Sequence, residues 1–202
     1  MLDRHARGFF TRLFTPPARA LLRAGVSADA VTVVGTLGVV AGALLLFPLG
    51  HLFWGVMLIT AFVFSDVLDG VMARLAGTTG RWGAFLDSTL DRVQDAAVFA
   101  GLIWWAYGVG DQPAIGVLAT VCLALGMLVS YARSKAEGLG FTANVGIAER
   151  AERLVLTLVA TGLVGIGAPV GLLTGVLALL AVGSLITVFQ RILTVRAQAR
   201  AA

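Results

Sequence analysis

The chain alternates long apolar runs with short polar breaks. Residues 31 to 49, 52 to 65, 96 to 107, 113 to 132, 154 to 171 and 172 to 189 are almost wholly apolar. A helix rising 1.5 Å per residue needs roughly 20 residues to cross the hydrocarbon core of a bilayer. Two of the runs fall short of that length by themselves. The run 52 to 65 reaches it only if its helix continues through Asp66 to about Leu75, and the run 96 to 107 only if its helix starts near Ala84. The pattern predicts six transmembrane helices, of which the second and third take their missing turns from a segment rich in aspartate.

Composition fits that reading. Of 202 residues 58% are hydrophobic and 13% charged, against about 25% charged in an ordinary soluble domain. We expect an all-α integral membrane protein, one domain over residues 1–202, in which 26–202 form a six-helix bundle. Gly25, Gly35, Gly38 and Gly42 suit the close approach of membrane helices. Cys122, the one cysteine, lies inside an apolar run, where it excludes an intrachain disulfide and reads as core filler. Residues 1–25 are basic but lack the continuous apolar stretch and the cleavage site of a signal peptide. Phe9, Phe10, Leu13 and Phe14 recur at helical spacing, which predicts an amphipathic helix lying in the interface against anionic lipid.

Charge sets the orientation. All fifteen Lys and Arg residues fall in the N-terminal segment, near the turn 76 to 83, near the loop 134 to 153, or at the C-terminal end. With six spans these share one face, and cytoplasmic loops are the ones that retain Lys and Arg. Both termini are therefore expected in the cytoplasm, and no nucleic-acid partner is implied.

The candidate chemistry lies in "DVLDGVMARLAGTTGRWGAFLDSTLD", residues 66 to 91. Asp66, Asp69 and Gly70 stand at i, i+3 and i+4, with Ala73 at i+7, so they share a helix face. Asp87, Asp91 and Asp95 repeat at i, i+4 and i+8 on the next helix. Like charges gathered at membrane depth repel and neutralise unless a counter-charge is present. Hard divalent cations with oxygen ligands answer that need, and Mg²⁺ commonly shares its shell with substrate phosphates. Two such ions can bridge a diphosphate. On this reading the four aspartates find their partners outside the chain. The alternatives are a salt-bridge network, Asp66 and Asp69 with Arg74 and Asp91 and Asp95 with Arg92, or an intramembrane metal-ion transport pathway. A pathway would spread carboxylates across the membrane, whereas these collect at the cytoplasmic ends of two helices.

The stretch fits D-x2-D-G-x2-A-R-x8-G-x3-D-x3-D at Asp66, Asp69, Gly70, Ala73, Arg74, Gly83, Asp87 and Asp91. In this it resembles the CDP-alcohol phosphotransferases, which move a phosphatidyl or similar group from a CDP-linked donor to an alcohol with loss of CMP. The resemblance implies that Asp66, Asp69, Asp87 and Asp91 hold two Mg²⁺ ions, or Mn²⁺ in their place. It further implies that Asp91 is the general base on the acceptor hydroxyl. Gly70 and Ala73 would keep the nucleotide face low, and Arg74 and Gly80 would contact the CDP part. Asp29, Ala30, Val31 and Thr32 occupy the place of the family's nucleotide-contacting turn, with Asp29 where many members have Asn.

The acceptor is addressed by "SYARSKAEGLG" and "IAERAERL", which bring Arg133, Lys135, Arg150 and Arg153 to one loop, with Arg191 reaching the same face. Free inositol or serine needs no such cluster, whereas an acceptor carrying a phosphate does, because guanidinium forks bind phosphate oxygens. Membrane topology alone accounts for part of this charge. "TPPARALLRAGVSADAVTVVGT", "SYARSKAEG" and "ERAERL" are similar to one branch of the family, the actinobacterial phosphatidylinositol-phosphate synthases. That similarity implies CDP-diacylglycerol as donor, inositol phosphate as acceptor, and a homodimer in the plasma membrane. The phosphatidylglycerophosphate synthases, which use glycerol phosphate, share such a basic loop and are the competing branch.

Overall fold

Caps and glycines decide where the helices of this chain begin and end. The computed structural model describes the backbone of residues 2–201 and the side chains of residues 13–201 other than Asp66. Its elements are α1 (Leu2–Arg23), α2 (Ala28–Ala41), α3 (Leu52–Val63), α4 (Ser65–Ala76), α5 (Arg81–Tyr107), α6 (Pro113–Gly138), α7 (Arg150–Gly165) and α8 (Val170–Ala201). Helix α2 runs on through one π-helical turn, Gly42–Leu46. No strand occurs among the described residues. The Ser27 hydroxyl accepts the Ala30 amide at 3.1 Å and so caps α2. Gly77, at φ 66, ends α4 in the left-handed conformation that glycine adopts without strain. Pro113 opens α6, where its missing N–H is no loss.

Among the described residues four stretches are long and apolar enough to cross a membrane: Ala28–Leu46, Leu52–Ala76, Pro113–Gly138 and Val170–Ala201. The six expected spans are therefore not all met on length and apolarity. Helix α5 carries Asp87, Asp91, Arg92 and Asp95 along its first four turns, and α7 has only 16 residues. The aspartate segment does supply the missing turns. Helix α5 starts at Arg81, ahead of the expected Ala84, and the stretch from Leu52 reaches Ala76 as two helices meeting at Phe64. Helix α6 outlasts its apolar run by several residues. Arg133 and Glu137 pair at 2.9 Å one turn apart, and Ala136 is buried, so both favour helix beyond residue 132.

Helix α6 packs against α5 and α8, α3 and α8 against α7, and α2 against α3, α4 and α5. Phe47, Ile59, Phe99, Leu102, Ile115, Leu173 and Leu177 are buried in the common core. Gly35 faces Ser65, Gly38 the Phe62 ring and Gly42 Ile59, so the glycine stripe of α2 seats it on α3 and α4. Gly25 has another role: nothing lies near it, and its φ of +80° turns the chain out of α1. Cys122 is buried and its thiol faces the Leu177 carbonyl at 3.3 Å. Helix α1 rests on α4, where Phe14 stacks on Phe64 with ring centres 6.4 Å apart and Ala18 packs with Val71 and Met72. Leu13 is exposed, and the side chains of Phe9 and Phe10 lie outside the described residues.

One contact tests this packing. A Cβ on Gly101 of α5 would stand 2.3 Å from the Ala43 carbonyl oxygen, whereas one on Gly171 meets nothing. Gly101→Val should destabilise the bundle by about 1–3 kcal/mol, read as a lower thermal unfolding midpoint in detergent, with Gly171→Ala unchanged.

Candidate functional site

Helices α4 and α5 are joined by the turn 77 to 80, and both rest on α2. A cavity of about 390 Å³ lies among the three helices. Asp29 and Thr32 of α2, Asp69, Gly70, Ala73 and Arg74 of α4, Gly80 of the turn, and Gly83 and Asp87 of α5 line it. Asp69 is buried, and the Thr32 hydroxyl stands 2.5 Å from its Oδ2 and 3.1 Å from the Ala28 carbonyl. With a single proton to give, Thr32 donates to the charged acceptor. The Trp82 indole N–H donates to Asp29 Oδ2 at 2.9 Å, tying the start of α5 to the start of α2. Ala30 and Val31 do not line the cavity: the Ala30 amide is spent on Ser27, and Val31 packs toward Val71 and Met72. Asp66 sits in the first turn of α4, and its side chain lies outside the described residues.

A larger cavity, about 930 Å³, opens on the other side of Ala84, a residue the two share. Asp87 lines the first and Asp91, one turn on, lines the second. Arg92, Ser130, Arg133, Glu137, Glu149, Arg150 and Arg191 line it with Asp91. Of the five basic residues expected together, Arg133, Arg150 and Arg191 line this space. Lys135 is exposed on α6 outside it, and Arg153 is turned into the bundle at 1% exposure.

The expectation that the aspartates find partners only outside the chain does not hold for Asp91. Arg150 Nη1 lies 2.8 Å from its Oδ1, and Arg92 Nη2 lies 3.8 Å from its Oδ2. Asp95 pairs with the arginines of α7 rather than with Arg92: Arg150 Nε at 3.2 Å and Arg153 Nη2 at 2.8 Å. Gln94 accepts from Arg150 Nη2 at 3.0 Å and donates to Thr36 Oγ1 at 3.2 Å. Arg92 also donates to the Ser130 hydroxyl.

The loop 139 to 149, which delivers Arg150, is fastened to α8. Thr187 Oγ1 accepts the amides of Ile147 and Ala148, both at 3.1 Å. Arg191 donates to the carbonyls of Val145 and Val129 at 2.9 and 2.5 Å and pairs with Glu149 at 3.3 Å. Gln198 clasps Thr142, accepting its amide at 2.9 Å and donating to its carbonyl at 2.6 Å. Trp82, Gln94, Ser130 and Gln198 were not singled out from sequence. Gln94 carried a signal, since it stands three residues after Asp91 and next to Asp95, on the helix face of the aspartates.

The residues suit divalent cations by their donor chemistry. Asp69 and Asp87, which line the smaller cavity, and Asp91 beyond it offer carboxylate oxygens, the ligand class that Mg²⁺ and Mn²⁺ prefer. Among the described residues no three His, Cys, Asp or Glu converge into a ligand cluster; Asp66, the remaining candidate, is not among those whose side chains are described.

Residues 26–196 match the family model for CDP-alcohol phosphatidyltransferase. The phosphatidylinositol phosphate synthase of Streptomyces avermitilis is 52% identical over 202 residues, covering 97% of this chain and 83% of that protein. That of Mycolicibacterium smegmatis is 44% identical over 194 residues, covering 94% and 86%. The crystal structure of the Mycobacterium tuberculosis phosphatidylinositol phosphate synthase with CDP-DAG bound superposes with a TM-score of 0.86 at 44% identity, covering 91% of this chain and 94% of the other. The same protein in complex with manganese and citrate gives a TM-score of 0.85 at 43% identity, covering 90% and 88%.

The ion pairs predict a double-mutant result. Asp95→Leu leaves the Arg153 guanidinium buried without its carboxylate and should cost about 3–5 kcal/mol. Adding Arg153→Met should recover most of that loss in thermal unfolding.

Proposed function

The chain belongs to the CDP-alcohol phosphatidyltransferase family, and from that premise we propose that it transfers the phosphatidyl group of CDP-diacylglycerol to inositol phosphate, giving phosphatidylinositol phosphate and CMP. The observation that carries this reading is the pairing of two cavities along α5. Asp69 and Asp87 line the smaller, and Asp91 lines the larger together with Arg133, Arg150 and Arg191. The M. tuberculosis relative with CDP-DAG bound supports the donor, and the names of the S. avermitilis and M. smegmatis relatives support the product.

In this reading Asp66, Asp69, Asp87 and Asp91 hold two divalent cations, Mg²⁺ or Mn²⁺, which when bound supply the positive charge that offsets the diphosphate. The manganese complex of the relative supports a divalent metal. Thr32 orients Asp69 through its hydroxyl. Gly70 and Ala73 present no bulky side chain to the smaller cavity, which leaves room for the nucleotide, and Arg74 with the Gly80 turn faces the CDP part. Asp29, Ala30, Val31 and Thr32 form the start of α2 beside it.

Asp91 takes the proton of the acceptor hydroxyl. The oxygen then bonds to the phosphorus that carries the lipid, and the bond from that phosphorus to CMP breaks. Arg133, Arg150 and Arg191 orient the phosphate of the acceptor; Lys135 and Arg153 lie outside the cavity, and Arg153 acts through Asp95. Positioning and charge neutralisation supply the rate, as in other phosphoryl transfers.

The whole chain acts as one domain with six spans, α2, α3 with α4, α5, α6, α7 and α8, and with α1 lying on the cytoplasmic face. Both termini and the site face the cytoplasm of a cell whose plasma membrane holds the enzyme as a homodimer. The basic residues clustered at one end support that orientation.

The test is CMP release by purified protein given CDP-diacylglycerol, Mg²⁺ and either inositol phosphate or glycerol phosphate. Inositol phosphate should be turned over at least about tenfold faster; faster release with glycerol phosphate assigns the chain to the competing branch. Asp91→Asn should lower the rate by about 10²–10⁴-fold while the protein keeps its thermal unfolding midpoint within a few degrees.

A further inference from the structure

Arg150 is held at all three nitrogens of its guanidinium. Its three nitrogens meet three residues on one face of α5: Nη1 reaches Asp91, Nη2 Gln94 and Nε Asp95, at 2.8, 3.0 and 3.2 Å. Positions 91, 94 and 95 stand at i, i+3 and i+4, so a single helix surface chelates a single guanidinium. A guanidinium has five N–H donors. Nε and Nη2 each spend one N–H on these contacts and Nη1 forms an ion pair with Asp91, which leaves an N–H on Nη1 and one on Nη2 for a ligand in the cavity that Arg150 lines.

Gln94 differs from its two neighbours. It is buried at 1% exposure, and it brings no charge. Its orientation is fixed from behind: the amide nitrogen donates to Thr36 Oγ1 at 3.2 Å, so the amide oxygen faces Arg150. Thr36 is buried on α2 one turn beyond Thr32, the residue that holds Asp69. The same face of α2 thus reaches the metal-side carboxylate through one threonine and the acceptor-side guanidinium, through Gln94, by the next.

We propose that Gln94 is a positioning residue for the acceptor: anchored by Thr36, its amide oxygen sets the plane of the Arg150 guanidinium so that the two remaining N–H groups meet the acceptor's phosphate. This rests on the phosphatidyl transfer to a phosphorylated acceptor described above. It makes Gln94 a determinant of acceptor affinity, with no part in binding the donor.

The experiment measures CMP release while inositol phosphate and CDP-diacylglycerol are varied in turn, for wild type, Gln94→Met and Gln94→Glu. Losing a hydrogen bond to a charged group should raise the KM for inositol phosphate about tenfold in Gln94→Met, with the KM for CDP-diacylglycerol within about twofold of wild type. Gln94→Glu keeps an oxygen at the same place and should bring the KM back to within about threefold. A general packing role moves both KM values together and gives no rescue by Glu; either result overturns the proposal, as does an unchanged KM in Gln94→Met. Should Gln94→Met not fold, Thr36→Val decides. Freed of its anchor, the amide should raise the same KM about threefold, and no change overturns the proposal. Wild type that releases no CMP with inositol phosphate would instead overturn the acceptor reading itself.

Discussion

An apolar bundle holds a charge only where something answers it, and the polar half of this molecule is arranged around that constraint. Asp91 and Asp95 project from α5 into the bundle because α7 brings Arg150 and Arg153 to meet them. Arg153 is almost fully buried, so its pairing with Asp95 ties the start of α7 to α5. From α8, Arg191 and Gln198 hold the loop that precedes α7 by its carbonyls, and Thr187 takes two of its amides. Backbone that is neither helix nor lipid-facing is thereby satisfied, as it must be near a bilayer. The same contacts that solve this problem also shape the basic wall of the larger cavity.

Helix α2 aligns the two halves of the site. Its glycine stripe seats it against α3 and α4, and two successive turns offer Thr32 to Asp69 and Thr36 to Gln94. Two cavities that, in the proposed transfer, must meet at one phosphorus need a common reference. One helix that lines the smaller cavity and braces Arg150 of the larger through Gln94 supplies it more rigidly than two independent loops would. Both cavities share Ala84 of α5, and Asp87 and Asp91, a turn apart on that helix, line one each.

Local signals were legible in the sequence. The i, i+3, i+4 and i, i+4, i+8 spacings read the aspartates as lying on helices, and the structure has α4 and α5 there; the short second and third apolar runs required helix through residues 66 to 75 and 84 to 95. Gly35, Gly38 and Gly42 were readable as contact positions. What escaped were partnerships across long separations. Arg150 meets Asp95 across 55 residues and Arg153 meets it across 58, and no periodicity within a segment reports such a pair. Arg153 therefore looked like a cavity residue although it is a buried one, and Asp91 looked partnerless although two arginines attend it. Lys135 misled for another reason: α6 stays helical past its apolar run, which carries the lysine out of the loop and onto an exposed face.

That the carboxylates of α4 and α5 act together on divalent cations is tested most directly by titrating the purified protein with Mn²⁺ and following bound ion by electron paramagnetic resonance. Two ions should bind per chain and show the spectrum of a coupled pair, and Asp69→Asn or Asp87→Asn should abolish the coupling. Wild-type protein that binds no Mn²⁺, or a coupled pair that survives both substitutions, would contradict it.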